Sequence, residues 1–132
     1  MKISVITAVF NRQDTIDFAI KSIHSQLYSS VELIIIDGAS SDGTLDKLEM
    51  YGSRLNVLIS EPDGGIYDAL NKGIKHATGD VVGFLHADDV FENSHVLAKV
   101  AAAFQDPTVD AVYGDLVYVQ HDDINQVIRY WK

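Results

Sequence analysis

The sequence predicts an α/β fold, a three-layer α/β/α sandwich around a mostly parallel sheet. Three observations carry that expectation. Apolar runs rich in β-branched residues recur at 3–10, 31–36, 55–59 and 81–85, without the alternation of a half-exposed strand. Stretches with apolar residues at helical spacing lie between them. Strands alternating with helices imply crossovers within one parallel sheet, so the loops after residues 10, 36, 60 and 85 gather on one edge.

In chain order, residues 3–10 (ISVITAVF) form the first strand, broken by Asn11-Arg12-Gln13-Asp14. Ile16, Ala19, Ile20, Ile23 and Leu27 then predict an amphipathic helix over about 14–27. The second strand, 31–36, ends in Asp37-Gly38-Ala39-Ser40-Ser41-Asp42-Gly43-Thr44, where Ser41 or Asp42 can cap a short helix carrying Leu45 and Leu48. A third strand, 55–59, leads to Glu61-Pro62-Asp63-Gly64-Gly65, with Asp63 placed to cap a helix whose apolar face holds Ile66, Ala69, Leu70, Gly73, Ile74 and Ala77. Gly73 on that face suggests close approach to the sheet. A fourth strand runs into His86-Ala87-Asp88-Asp89, and a helix over 94–104 follows. Residues 111–113 and 116–119 are expected as strands flanking Gly114-Asp115. The whole chain is expected to be one domain of 132 residues.

Composition narrows the function. The chain has no cysteine, which excludes disulfides and thiolate metal sites, and its five histidines show no HxxxH or HExxH spacing. A net charge of −9 argues against a nucleic-acid partner. It also makes a phosphate site hard to build without a bound cation. Neither a signal-peptide pattern nor a membrane-spanning apolar run is present, so a cytoplasmic location is expected, with any association at the inner face of a membrane made through partners.

The polar strand ends are the candidate site, because ligands of open parallel sheets collect outside the carboxyl ends of the strands. Asp88 and Asp89 can hold a hard divalent cation that keeps waters and takes further ligands from a phosphate. They can equally belong to an acidic loop leading into the next helix. Asp37 can accept hydrogen bonds from a ribose or a base, or cap the following turn. No GxGxxG follows the first strand, which argues against a Rossmann dinucleotide site. A nucleotide with its diphosphate on a cation fits these strand ends. A phosphohydrolase with Asp37 as nucleophile would want an acid two residues on, and Ala39 is there.

The motifs ISVITAVFNR (3–12), IIIDGASSDGT (34–44), EPDGGIYDALNKGI (61–74), GDVVGFLHADD (79–89) and VYGD (112–115) resemble the N-terminal half of a family 2 glycosyltransferase of the GT-A fold. The resemblance implies transfer of a sugar, typically with inversion, from a nucleotide-diphospho-sugar donor to a hydroxyl of a saccharide or lipid-linked saccharide, with Mn²⁺ or Mg²⁺. Thr7, Ala8, Phe10, Asn11, Asp37 and Gly38 fall on the nucleoside-binding positions, and His86-Ala87-Asp88 falls on the DxD-type motif. Asp88, with His86, is the implied cation ligand. His86 stands where the family most often has Asp, Gly38 where many members have a base-reading Asp, and Leu70 where many have Arg before Asn71. Lys72 is the candidate replacement for that lost positive charge. The family's catalytic base and most of its acceptor site lie in a C-terminal half, whose beginning would be residues 119–132. No base is assigned here, and an incomplete partner face predicts self-association through residues 127–131. The competing expectation is a nucleotide-binding or assembly module of the same fold without turnover.

Overall fold

The computed structural model describes residues 1–120, 123 and 126–131. It divides into two compact units, Met1–Ala101 and Ala102–Lys132. The first contains β1 (Ile3–Val9), α1 (Ile16–His24), β2 (Val31–Asp37), α2 (Thr44–Tyr51), a single 3₁₀ turn (Gly52–Arg54), β3 (Val57–Ser60), α3 (Ile66–His76), β4 (Val81–Phe84) and most of α4 (Val96–Ala103). The four strands form one parallel sheet in the order β3-β2-β1-β4. The α/β class and parallel sheet agree with the expectation, and the elements fall within a few residues of the predicted spans.

Side chains alternate across β1 and β2, so each strand feeds two cores. Ile3, Val5, Val9, Leu33 and Ile35 pack with Ile16, Ile20 and Ile23 of α1, Leu48 of α2 and Leu97 of α4. Ile6, Ile34 and Ile36 face the other way, against Ala69 of α3 and the partly buried Leu70. Helices on both faces therefore explain why β1 and β2 are apolar without alternation. Gly73 is the point of closest approach. A Cβ there would lie 2.4 Å from Cγ2 of the fully buried Ile6.

At the sheet edge where β1 and β2 begin, Glu32 is buried in a polar knot. Its carboxylate accepts hydrogen bonds from Ser4 Oγ (2.5 Å), the Thr78 amide (2.6 Å) and Thr78 Oγ1 (2.9 Å), and Lys2 Nζ lies 3.2 Å away. Burial alone would raise its pKa, but these donors and the lysine outweigh burial and hold it at about 2. The knot ties the segment entering β4 to β1, with the Gly79 amide donating to Ser4 Oγ at 2.8 Å.

In the second unit, β5 (Leu116–Val119) pairs antiparallel with β6 (Val127–Trp131). Residues 111–113, expected as a strand, have no regular structure, and Tyr113 is 92% exposed. A strand needs a ladder partner, and these residues have none among the described residues. Residues 121, 122, 124, 125 and 132, within the stretch expected to begin an acceptor half, lie outside the described residues. So do the side chains at 128, 130 and 131 on which the self-association expectation rests. No helix among the described residues is long and apolar enough to cross a membrane.

Two outcomes follow from this packing. Gly73→Ala should lower stability by about 1–2 kcal/mol in urea denaturation, because overpacking costs more than the roughly 0.5–1 kcal/mol gained by replacing a helical glycine. An unchanged midpoint would mean that α3 can move off Ile6 freely. Glu32 has a folded pKa below its ordinary 4.5, so its contribution is fully present above about pH 4.5 and disappears as pH falls toward about 2. A shift of that size corresponds to at most about 3 kcal/mol. Glu32→Gln should be less stable than wild type at pH 7, with the two converging as pH falls from about 4.5 toward 3.

Candidate functional site

The strand order places the site. The chain builds outward from β1 to β2 to β3, then returns to lay β4 on the opposite side of β1. Loops leaving β1 and β4 diverge at this switch point, which opens a crevice outside the carboxyl ends. A cleft of about 780 Å³ lies there. Ala8, Val9, Phe10, Asn11 and Arg12 line it from the end of β1, Gly38 from the end of β2, and His86, Ala87 and Asp88 from the end of β4. Asp63 and Gly65 enter from the loop before α3, and Ile66 and Ala69 from its first turns.

Asn11 joins the first two loops. Its backbone has φ +50°, a left-handed conformation that asparagine tolerates better than most residues. Its amide donates to Ser40 Oγ at 2.9 Å, and its Oδ1 accepts from the amides of Ser41 (2.8 Å) and Asp42 (3.3 Å). Asp42 Oδ1 in turn accepts from the Thr44 amide at 2.9 Å and Thr44 Oγ1 at 2.5 Å, which fixes the start of α2. These bonds hold the Asp42 carboxyl below its usual range. Arg12 brings a permanent positive charge to the cleft wall, and its amide donates to Thr44 Oγ1 at 2.9 Å.

Two residues expected to meet the nucleoside sit behind the cleft wall. Asp37 is fully buried. Its Oδ1 accepts from Ser40 Oγ at 2.5 Å, and its Oδ2 from the Ser40 amide at 3.1 Å and Ser60 Oγ at 2.7 Å. It therefore holds the β2 loop against the end of β3. Thr7 is also fully buried, and its hydroxyl has no hydrogen-bond partner among the described residues.

The end of β4 behaves differently. The Asp89 amide donates to the His86 carbonyl at 3.0 Å, closing a tight turn. Within it Ala87 points into the core, while His86, Asp88 and Asp89 are exposed. Desolvation pushes the Asp89 carboxyl upward, the adjacent Asp88 adds to this, and His86 opposes it. His86 and Asp88 line the cleft and Asp89 does not. No group of three or more His, Cys, Asp or Glu suited to a metal occurs among the described residues. Asn71 and Lys72 lie on α3 outside the lining. Lys72 is paired with Glu61 (3.0 Å) and Asp68 (3.6 Å), and the bond to Glu61 is the main reason its pKa is raised.

Of the sequence-predicted set, the fold thus brings Ala8, Phe10, Asn11, Gly38, His86, Ala87 and Asp88 together around one cleft. Val9, Arg12, Asp63, Gly65, Ile66 and Ala69 were not singled out as site residues. Arg12 and Asp63 lie inside the motifs of the first and third loops, and that position was the available signal for them. Ile66 and Ala69 gave none beyond the apolar face of α3.

Residues 4–131 match the family described as Glycosyl transferase family 2. An uncharacterized glycosyltransferase of Mycobacterium tuberculosis is 42% identical over 102 residues, 76% of this chain and 39% of the relative. A PGL/p-HBAD biosynthesis glycosyltransferase of Mycobacterium bovis is 35% identical over 119 residues, 86% of this chain and 46% of the relative. Among solved structures, S. aureus TarS 1–349 in complex with UDP-GlcNAc superposes with a TM-score of 0.71 at 33% identity, over 81% of this chain and 32% of that one. The mannosyltransferase PcManGT from Pyrobaculum calidifontis, in complex with GDP-Man and Mn²⁺, gives 0.76 at 27% identity, over 94% and 37%. This chain therefore spans less than half the length of these relatives. On the match of nearly its whole length, the chain belongs to glycosyl transferase family 2 and has the GT-A fold of these neighbours.

Proposed function

We propose that residues 1–132 are the donor-binding part of a glycosyltransferase, taking a nucleotide-diphospho-sugar into the cleft at the β1/β4 switch point. The observation that carries this reading is the cleft itself. Three loops from separate strands meet there, with an exposed ring (Phe10), a guanidinium (Arg12) and a carboxylate–imidazole turn (His86, Asp88) around one cleft. Neighbours of the same fold, crystallised with UDP-GlcNAc or with GDP-Man and Mn²⁺, support it.

Asp88 and His86 would hold Mn²⁺ or Mg²⁺. Two exposed donors that line the cleft from one turn, with no group of three or more metal-suited side chains among the described residues, fit an open site that the diphosphate and water complete. When bound, such an ion offsets charge on the departing diphosphate. Arg12 adds a second positive charge for the phosphates in an otherwise acidic chain. Phe10 offers a face for the nucleoside, and Asn11 and Asp37 keep the loops that carry it in place. In the complete enzyme, the acceptor hydroxyl oxygen bonds to the anomeric carbon as the bond from that carbon to the diphosphate oxygen breaks. The acceptor proton passes to a base outside the residues assigned here. Single displacement of this kind inverts the anomeric centre. With a lipid-linked saccharide as acceptor, the enzyme would work at the inner face of a membrane through partners.

Asp88→Asn should remove the Mn²⁺-dependent part of nucleoside diphosphate binding while leaving the fold intact. In a thermal-shift series, wild type at a ligand concentration 100 times Kd should gain roughly 2.7 kcal/mol. The variant should respond equally with Mn²⁺ and with EDTA, and a retained Mn²⁺ response in the folded variant would remove Asp88 from the role. Residues 1–132 alone should bind donor yet transfer no sugar, because a positioned base typically contributes about 10²–10⁴-fold. Radiolabelled donor with a mixed acceptor pool tests this, and metal-dependent transfer by this chain would contradict it.

A further inference from the structure

Resting on the donor-site reading above, we infer that Asp63 is the base-reading residue of this cleft, and that it selects a nucleobase presenting a ring N–H, as uracil and guanine do. The placement comes from the sheet. With the diphosphate at the turn after β4, the base must lie toward the far end of the cleft. Neighbouring strands are about 4.7–4.9 Å apart, so the end of β2 is roughly 10 Å from the end of β4. That separation suits an extended nucleotide running from phosphate to base, and Gly38 and Asp63 line the cleft there.

Two features make Asp63 rather than Asp37 the reader. Asp37 is fully buried, with both oxygens bonded to Ser40 and Ser60. Asp63 is half-buried at the cleft wall; its Oδ1 accepts from the Gly65 amide at 3.0 Å, and the Lys72 ammonium lies within its electrostatic reach. Among the described residues its Oδ2 has no hydrogen-bond partner, and it lies 3.0 Å from where a Cβ on residue 38 would be. Gly38 is itself fixed by its amide, which donates to the Val9 carbonyl at 2.9 Å. The missing side chain at 38 is therefore what admits the Asp63 carboxylate to the end of β2. An ionised carboxylate is an acceptor only, so it pairs with the N3–H of uracil or the N1–H of guanine. It faces a lone pair at N3 of cytosine or N1 of adenine, which is unfavourable.

The test is a calorimetric titration of the full chain with UDP, CDP, GDP and ADP in Mn²⁺, with folding of each variant checked by circular dichroism. Wild type should favour UDP over CDP, or GDP over ADP, by about tenfold or more, the scale of one charge-assisted hydrogen bond. Asp63→Ala should level that preference. Asp63→Asn keeps the turn with Gly65, and its amide can present either an acceptor or a donor, so it should narrow the preference by improving CDP or ADP. Gly38→Ala should weaken the favoured member by displacing the carboxylate. Wild-type binding without a base preference, or a preference unchanged in folded Asp63→Ala, overturns the assignment of Asp63. Binding of none of the four diphosphates overturns the donor-site reading itself, so the two failures are distinct.

Discussion

Everything in the first unit depends on β1 being paired on both edges and covered on both faces. All seven of its residues pair with β2 and the first four also with β4, and none of them is exposed. That constraint demands an apolar, β-branched sequence and leaves little room for polar side chains. The strand order also fixes the site, because β1 is where the chain reverses direction across the sheet, with β2 and β3 on one side and β4 on the other. The loop leaving β1 has no neighbouring crossover on one side, and the cleft occupies that gap. Folding and function thus share one cause, the centrality of residues 3–9.

This much was legible in the sequence because the pattern is periodic and local. Uninterrupted runs such as ISVITAV and VELIIID have one common explanation, a strand buried between helix layers. The helical spacing of Ile16, Ala19, Ile20 and Ile23 is equally direct, and all four are buried in α1. Gly73, marked by its place on an apolar face, does meet Ile6 at van der Waals limits. The strand expected at residues 111–113 shows where such reasoning stops. Apolar character permits a strand, but only a ladder partner makes one, and pairing is a long-range fact.

The site was legible by strand end but not by side chain. The sequence puts Asp37, at the end of the second strand, among the nucleoside-binding positions and reads Asp63, in the loop after the third, as a helix cap. In three dimensions the two carboxylates have opposite fates. Ser40, three residues on, and Ser60, paired with Asp37 in the β2/β3 register, close around Asp37 and turn it inward. Asp63 is left beside Gly38, with one oxygen free of hydrogen bonds among the described residues. The deciding partner, Ser60, is twenty-three residues away, so no local pattern could reveal it. Lys72 is similar. It is a candidate for the nucleotide by charge, yet Glu61 and Asp68 hold its ammonium at the loop leading into α3.

A chain with net charge −9 has to manage its own field before it can receive a diphosphate. The structure does so by removing carboxylates from the cleft rather than by adding lysines to it. Asp37 is sequestered by serines, Asp42 by Thr44, Glu32 by the knot at the opposite edge, and Asp68 by the Gly64 amide and Lys72. Each acceptor is matched with donors, which limits its reach toward the cleft. What remains facing the cleft is Asp88 beside His86 at the β4 turn and Asp63 at the end of β2, with Arg12 on the wall. These two carboxylates line the cleft from different strand ends, Asp88 after β4 and Asp63 beside the end of β2. On the proposed reading, Asp88 would take the cation and Asp63 the base N–H, and a bound nucleotide would then have a single direction along the cleft.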